Sequence, residues 1–484
     1  MNTPLRRLAT VVVVMFVVLI GGVTWVQFGQ ASALNNDSRN VRTLYREYGK
    51  PRGPIVVAGQ AIASSTPSAD AFGYQRSYAN GPLYSSVTGF YSVVNGASGL
   101  ESAENGVLTG SADSLFLTRL QDLITGKQPL GSSVELTINP AAQQAAWDAL
   151  GDQRGAVVAI DPTTGAILAM VSKPGYDPNA LASHDTAAAG AAYKQLLAAD
   201  GNPLLNTTIR ETYAPGSTFK LITAAAALES GKYAADTSVP SPTVLPLPQT
   251  SATITNFGGE ACGDGTTTTL TDALRISCNT AFAQLGMDLG QDALAAQADK
   301  FGFDDAGLTI PMLATKSVFP AGLDAPQTAQ SAIGQFSVRV TPLEMAMVSA
   351  AIANGGKLMT PYLVQTVRTA DLDVVSQASP TVLSTAVSPA TAATLRDMMV
   401  GVVENGTGTA AKISGIQVAG KTGTAQTTDQ SAPHAWFTAF APADAPRVAV
   451  AVLVEHGGNL GNEATGGRVA APIAKAVMQA VLGR

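Results

Sequence analysis

The chain is poor in the residues that most metal, redox and nucleic-acid chemistry needs. Among 484 residues there are two cysteines, Cys262 and Cys278, and three histidines. Two cysteines are too few for a structural zinc site, and His434 and His456, each beside a predicted strand, have no second ligand at a metal spacing. No metal and no cofactor are expected. Charge is scarce as well: 13% of residues are charged, and the formal net charge of −6 leaves no basic footprint for nucleic acid. What remains is the composition of a well-packed globular protein, 46% hydrophobic and long enough for about three domains.

One stretch carries no charge at all. Leu8 to Val26 is a mostly apolar run of 19 residues, about the length that crosses a bilayer as a helix. Arg6 and Arg7 precede it, so the positive-inside rule leaves the amino terminus in the cytoplasm and places everything after Gln27 outside. The alternative is a cleaved signal peptide, because Ala31-Ser32-Ala33 has the small-x-small form of a cleavage site. The apolar core exceeds the roughly 7–15 residues of a signal sequence, which favours a retained anchor. An exported chain sits where disulfides persist, and there Cys262 would pair with Cys278; the other reading is two separate buried thiols.

Residues 35–131 mix short apolar runs with turn pairs such as Asn80-Gly81 and Asn95-Gly96, which predicts a small, strand-rich domain without evident chemistry. Within it, Ala61 to Phe72 is rich in Ser, Thr, Ala and Pro and reads as a loop. The pattern changes at Val134. A helix is predicted over Ala141 to Leu150, then a hairpin of Gly155 to Asp161 and Ala166 to Ser172. Three late strands, Val418 to Thr424, Ala435 to Phe440 and Val448 to Glu455, precede a helix from Ala471 to Leu482. An Ala-rich helical middle separates the two sets, which together predict an α/β fold with a mostly antiparallel five-stranded sheet flanked by helices and an all-helical subdomain.

In that middle, Ser217 and Lys220 stand three residues apart where Pro215-Gly216 marks a helix start. Residues at this spacing share a helix face, so a lysine amine can reach a serine hydroxyl. A serine is a poor nucleophile until a base takes its proton, and a lysine serves if burial and a second cation lower its pKa. The helix start also offers free N–H groups where an oxyanion must be held. Ser-x-x-Lys alone is weak, since a chain this long carries about one or two by chance. Here it occurs once and is followed by Ser277-Cys278-Asn279 and by Lys421-Thr422-Gly423, the chain order of penicillin-recognising serine enzymes. Ser183-His184-Asp185 holds the three residue types of a hydrolase triad, but adjacent residues cannot converge as a triad does, and it reads as a loop.

The segments Tyr213 to Lys220, Ser331-Ala332-Ile333-Gly334-Gln335, Val340-Thr341-Pro342-Leu343, Ala353-Asn354-Gly355-Gly356 and Gly420 to Ala425 resemble the transpeptidase domain of class B penicillin-binding proteins. Upstream, Arg52-Gly53-Pro54-Ile55, Thr88-Gly89-Phe90 and Gly99-Leu100-Glu101 resemble the family's non-catalytic N-terminal domain, in particular that of actinobacterial members, where it is compact. The expected organisation is a cytoplasmic tail 1–7, an anchor 8–28, a non-catalytic domain 29–131 and a transpeptidase domain 132–484.

The resemblance implies a D,D-transpeptidase that cross-links peptidoglycan stem peptides and is acylated by β-lactams. Ser217 would attack the D-Ala-D-Ala carbonyl and Lys220 accept its proton. Ser277 would pass a proton to the leaving amine while Asn279 holds the donor's amide. Lys421 would supply positive charge, Thr422 and Thr424 would bind the terminal carboxylate, and Gly423 would permit close approach of the substrate backbone. Backbone N–H groups of Ser217 and Thr424 would form the oxyanion hole. It also implies a polytopic glycosyltransferase partner of the shape, elongation, division and sporulation (SEDS) family, with other cell-wall or division proteins. The competing readings are a D-Ala-D-Ala carboxypeptidase, a β-lactamase, or a catalytically silent scaffold. Class A β-lactamases use a glutamate in a Glu-x-x-Leu-Asn run between the second and third motifs, and none occurs between Asn279 and Lys421.

Overall fold

The computed structural model describes residues 2–30, 48–115, 130–426 and 431–484. The chain divides into two units, Met1–Pro51 with Thr66–Gln75, and Arg52–Ser65 with Arg76–Arg484. The first carries a helix, Thr3–Gly29, with mean hydropathy 2.5 and no buried share; among the described residues it is the one helix long and apolar enough to cross a membrane. Residues 31–33, the alternative cleavage site, lie outside the described residues.

The second unit is built on a five-stranded antiparallel sheet in the order Ala419–Ala425, His434–Ala441, Val448–Val454, Gly155–Ile160, Ile167–Lys173. Val448–Val454 shows why the sheet is covered on both sides. Val448, Val450, Val452 and Val454 belong to one apolar cluster and Ala449, Ala451 and Leu453 to another, the two-residue alternation of a strand between two layers. Helices Pro140–Leu150 and Gly466–Leu482 cover the first face, and Pro342–Ala353, buried almost all round, covers the second. Between the hairpin and the late strands lie the helices Lys220–Glu229, Leu270–Arg275, Asn279–Leu289, Gln291–Lys300 and Ala325–Ala332, with two short antiparallel ribbons, Val244–Pro246 with Thr253–Thr255 and Ser238–Pro240 with Thr267–Thr269.

A second sheet of six strands takes members from both sides of residue 131, its Ile55–Val57 running parallel to Ser133–Leu136. Gln60–Pro67 is a strand rather than a loop, paired with Ile55–Val57 and with Ile62 and Ala63 buried. Its Ser, Thr and Ala residues carry a loop signal by composition, but a partner strand supplies the backbone hydrogen bonds that a loop would leave to water.

Candidate active site

The segment leading to Ser217 is pinned before any chemistry is considered. Tyr213 and Val340 exchange both backbone hydrogen bonds, Gly216 N–H donates to the Gly334 carbonyl at 2.9 Å, and Trp436 Nε1 donates to the Ala214 carbonyl at 3.0 Å. Gly216 has φ +53°, and a Cβ there would sit 2.5 Å from the Thr424 carbonyl oxygen, so only glycine fits. Gly216–Phe219 is a 3₁₀ turn that passes into the helix Lys220–Glu229. Side chains three apart eclipse in such a turn, which sets Ser217 and Lys220 one above the other. Ser217 is partly exposed while Lys220 is wholly buried.

Ser277 sits where the helix Leu270–Arg275 stops. Its N–H donates to Leu274 at 3.2 Å and the N–H of Cys278 donates to Ala273 at 2.8 Å, the paired bonds of a Schellman stop. That motif wants a residue in the left-handed region, normally glycine, and Ser277 takes it with φ +63°. A serine there costs about 1–3 kcal/mol. The next residue, Cys278, is bonded to Cys262. Asn279 opens the following helix, whose first N–H groups are capped from a distance: Asn256 Oδ1 accepts from Asn279 N–H at 2.8 Å and Thr280 N–H at 3.1 Å. Asn279 Nδ2 donates to the Thr255 carbonyl at 3.0 Å.

These turns bring two lysines together. Lys220 Nζ donates to the Ser277 carbonyl at 2.7 Å and to Asn279 Oδ1 at 2.8 Å, and lies 3.3 Å from Ser277 Oγ. Lys421 Nζ reaches the same hydroxyl at 2.8 Å and the Thr422 carbonyl at 3.0 Å. Both amines are fully buried, and among the described residues their partners are neutral oxygens. Burial drives the Lys220 pKa well below that of an ordinary lysine, and the nearby Lys421 charge lowers it further. Burial alone brings Lys421 down to about 7.

Lys421, Thr422, Gly423 and Thr424 lie on Ala419–Ala425, the edge strand of the five-stranded sheet, with alternate backbone groups free of a neighbouring strand. Thr422 Oγ1 is 2.6 Å from Thr407 Oγ1, and Thr424 is partly exposed. A Cβ at Gly423 would come within 2.9 Å of the Pro215 carbonyl oxygen, Thr218 Cγ2 and Trp436 Cβ, so the close approach here is made by the chain itself. Asn256 and Thr407 carry no motif, and sequence reasoning passed over them; Gly334 stood in a recognised segment without an assigned role. Asp185 of the Ser183-His184-Asp185 triplet caps the helix Thr186–Ala198. His434 and His456 lie with ring centres 4.9 Å apart, His434 packed edge-on against Tyr213.

Residues 155–479 match the family model of the penicillin-binding protein transpeptidase domain, and residues 52–134 that of the penicillin-binding protein A dimerisation domain. The chain is similar to the peptidoglycan D,D-transpeptidase PbpA of Mycolicibacterium smegmatis, 48% identical over 490 residues covering 100% of this chain and 99% of that protein. The PbpA of Mycobacterium tuberculosis is 45% identical over the same shares. A ceftriaxone acyl-enzyme complex of M. tuberculosis penicillin-binding protein A superposes with a TM-score of 0.87 at 44% identity, over 90% of this chain and 100% of that one.

Proposed function

Because the chain belongs to the class B penicillin-binding proteins, we propose that it is a peptidoglycan D,D-transpeptidase working through an acyl-enzyme on Ser217. The observation that carries the site assignment is the meeting at one hydroxyl, Ser277 Oγ, of two buried amines that have no carboxylate partner among the described residues, beside the turn that presents Ser217. Neutral Lys220 accepts the Ser217 proton as its oxygen adds to the penultimate D-Ala carbonyl. The oxyanion is held by the N–H groups of Ser217 and Thr424. As the C–N bond breaks, the proton passes through Ser277 to the departing D-Ala amine, and an amine of a neighbouring stem peptide then attacks the ester and restores Ser217. The donor lies along the edge strand as an added strand, with its carboxylate at Thr422 and Thr424 and its amide on Asn279. β-Lactams enter as acylating mimics of the donor.

In this reading residues 1–7 are a cytoplasmic tail, 8–28 the anchor, 29–131 a non-catalytic domain and 132–484 the catalytic domain, held outside the membrane beside a SEDS-type glycosyltransferase. The apolar exposed helix Thr3–Gly29 and the basic pair Arg6-Arg7 support that orientation. Labelling with a fluorescent penicillin tests the chemistry. Wild type is expected to take up about one equivalent and hold it, and Ser217→Ala none. Labelling of Ser217→Ala would move the nucleophile elsewhere, and rapid repeated nitrocefin hydrolysis by wild type would make the chain a β-lactamase.

A further inference from the structure

Besides the Trp436 bond to Ala214, the side chain of Tyr213 ties residues 213–216 to the ends of two sheet strands. Tyr213 is buried, and its hydroxyl donates to Glu455 Oε1 at 2.8 Å. Glu455 follows directly on Val448–Val454 and is itself 4% exposed. Its other oxygen pairs with Arg154 at 3.0 Å, just ahead of Gly155–Ile160, and Arg154 in turn reaches the exposed Asp200 at 3.3 Å. The ring of Tyr213 is held edge-on by His434 and Trp436, on the neighbouring strand. Burial and the carboxylates of Glu455 and Glu211 keep the phenol protonated and therefore a donor. A single hydrogen bond thus joins the turn carrying Ser217 to the ends of two central strands.

We propose that Tyr213 and Glu455 are positioning residues for the acylation step, fixing the Ser217 turn against the sheet through the Tyr213–Glu455–Arg154 chain. The inference rests on Ser217 being the nucleophile. Neither residue touches the reacting atoms. Attack requires the serine oxygen to be held within a fraction of an ångström of its productive position, and a displacement of about 1 Å costs on the order of a hundredfold in rate. The pair therefore acts on the rate of bond formation and leaves the noncovalent affinity for the inhibitor or donor as it is.

Stopped-flow acylation of the full chain by penicillin, resolved into noncovalent affinity and the acylation rate constant, tests this together with the melting temperature. Tyr213→Phe, which removes one hydroxyl, is expected to slow acylation about tenfold or more with affinity unchanged. Glu455→Gln retains an acceptor oxygen and is expected to acylate within about threefold of wild type, whereas Glu455→Ala matches Tyr213→Phe and adds nothing to it in the double variant. Tyr213→Phe acylating at the wild-type rate, or losing affinity instead of rate, would overturn the proposal. An unacylated wild type would instead sink the transpeptidase reading, so the two failures are distinguishable.

Discussion

Upstream, Arg52 and Arg76 converge on Glu101; in the serine site, Lys220 and Lys421 converge on Ser277. Each place buries two cations, and all four are at most 6% exposed. In the first, Arg52 Nε is 2.5 Å and Arg76 Nε 2.7 Å from the wholly buried Glu101 carboxylate, with Asn105, the Tyr91 ring and backbone carbonyls taking the remaining guanidinium edges. In the second, the partners are a hydroxyl, an amide and carbonyls. Burial by itself would raise the Glu101 pKa, but the charges of Arg76 and then Arg52 overcome it and hold the carboxyl below its ordinary value. At the lysines burial is unopposed. Guanidinium with a counter-charge gives a fixed ionic joint, and buried ammonium without one loses its proton more readily.

Putting an arginine into the lysine site is expected to have the largest effect. Lys220→Arg keeps a positive charge that cannot be given up, so acylation by penicillin is expected to fall by about 10²–10⁴-fold with folding retained. Acylation at a near wild-type rate would assign proton removal to another group. The converse test removes the counter-charge upstream. Glu101→Gln removes the carboxylate shared by two buried guanidiniums and is expected to cost about 3–5 kcal/mol of stability, read by denaturant unfolding, with the acylation rate of the folded fraction unchanged. Because the folded Glu101 pKa is lowered, its contribution is present above the unfolded carboxyl value of about 4.3 and is lost as pH falls through the folded value. The folded pKa values of the lysines are lowered too, so stability again rises with pH, but what they contribute is a penalty, full below their folded values and fading as pH rises toward the unfolded value of about 10.4.

A smaller effect distinguishes how the two centres are braced. The lysine site leans on the Cys262–Cys278 bond beside Ser277, with a sequence separation of 16. Replacing both cysteines by serine is expected to cost about 3 kcal/mol in the chain-entropy account. Intact-mass measurement after non-reducing alkylation checks the starting point, since two alkylated thiols would mean that the bond is absent in the protein.

The serine, lysine and asparagine of the site were legible because each sits in a short motif whose spacing is tied to one turn or strand. The face shared by Ser217 and Lys220 follows from three-residue spacing alone. What was not legible depends on register between distant segments. Asn256 has no local feature that marks it as the cap of a helix beginning 23 residues later. Tyr213 meets Glu455 across 242 residues, and Thr407 meets Thr422 only once the edge strand is in place. Glu101 stood inside a recognised segment, yet its burial with two arginines from distant segments appears only in the fold. The five strands were readable from alternation and β-branched runs, while Gln60–Pro67 was misread because composition outweighed the pairing its partner imposes.

Lys220 is held well below the ordinary lysine range because it is buried beside a second amine and, among the described residues, no carboxylate. The pH dependence of the penicillin acylation rate measures this most directly. The expected profile rises through the depressed value of Lys220, below the range of an ordinary lysine, and falls above about 7 as Lys421 gives up its proton. A rate that instead climbs steadily to about pH 10, the range of an ordinary lysine, would contradict it.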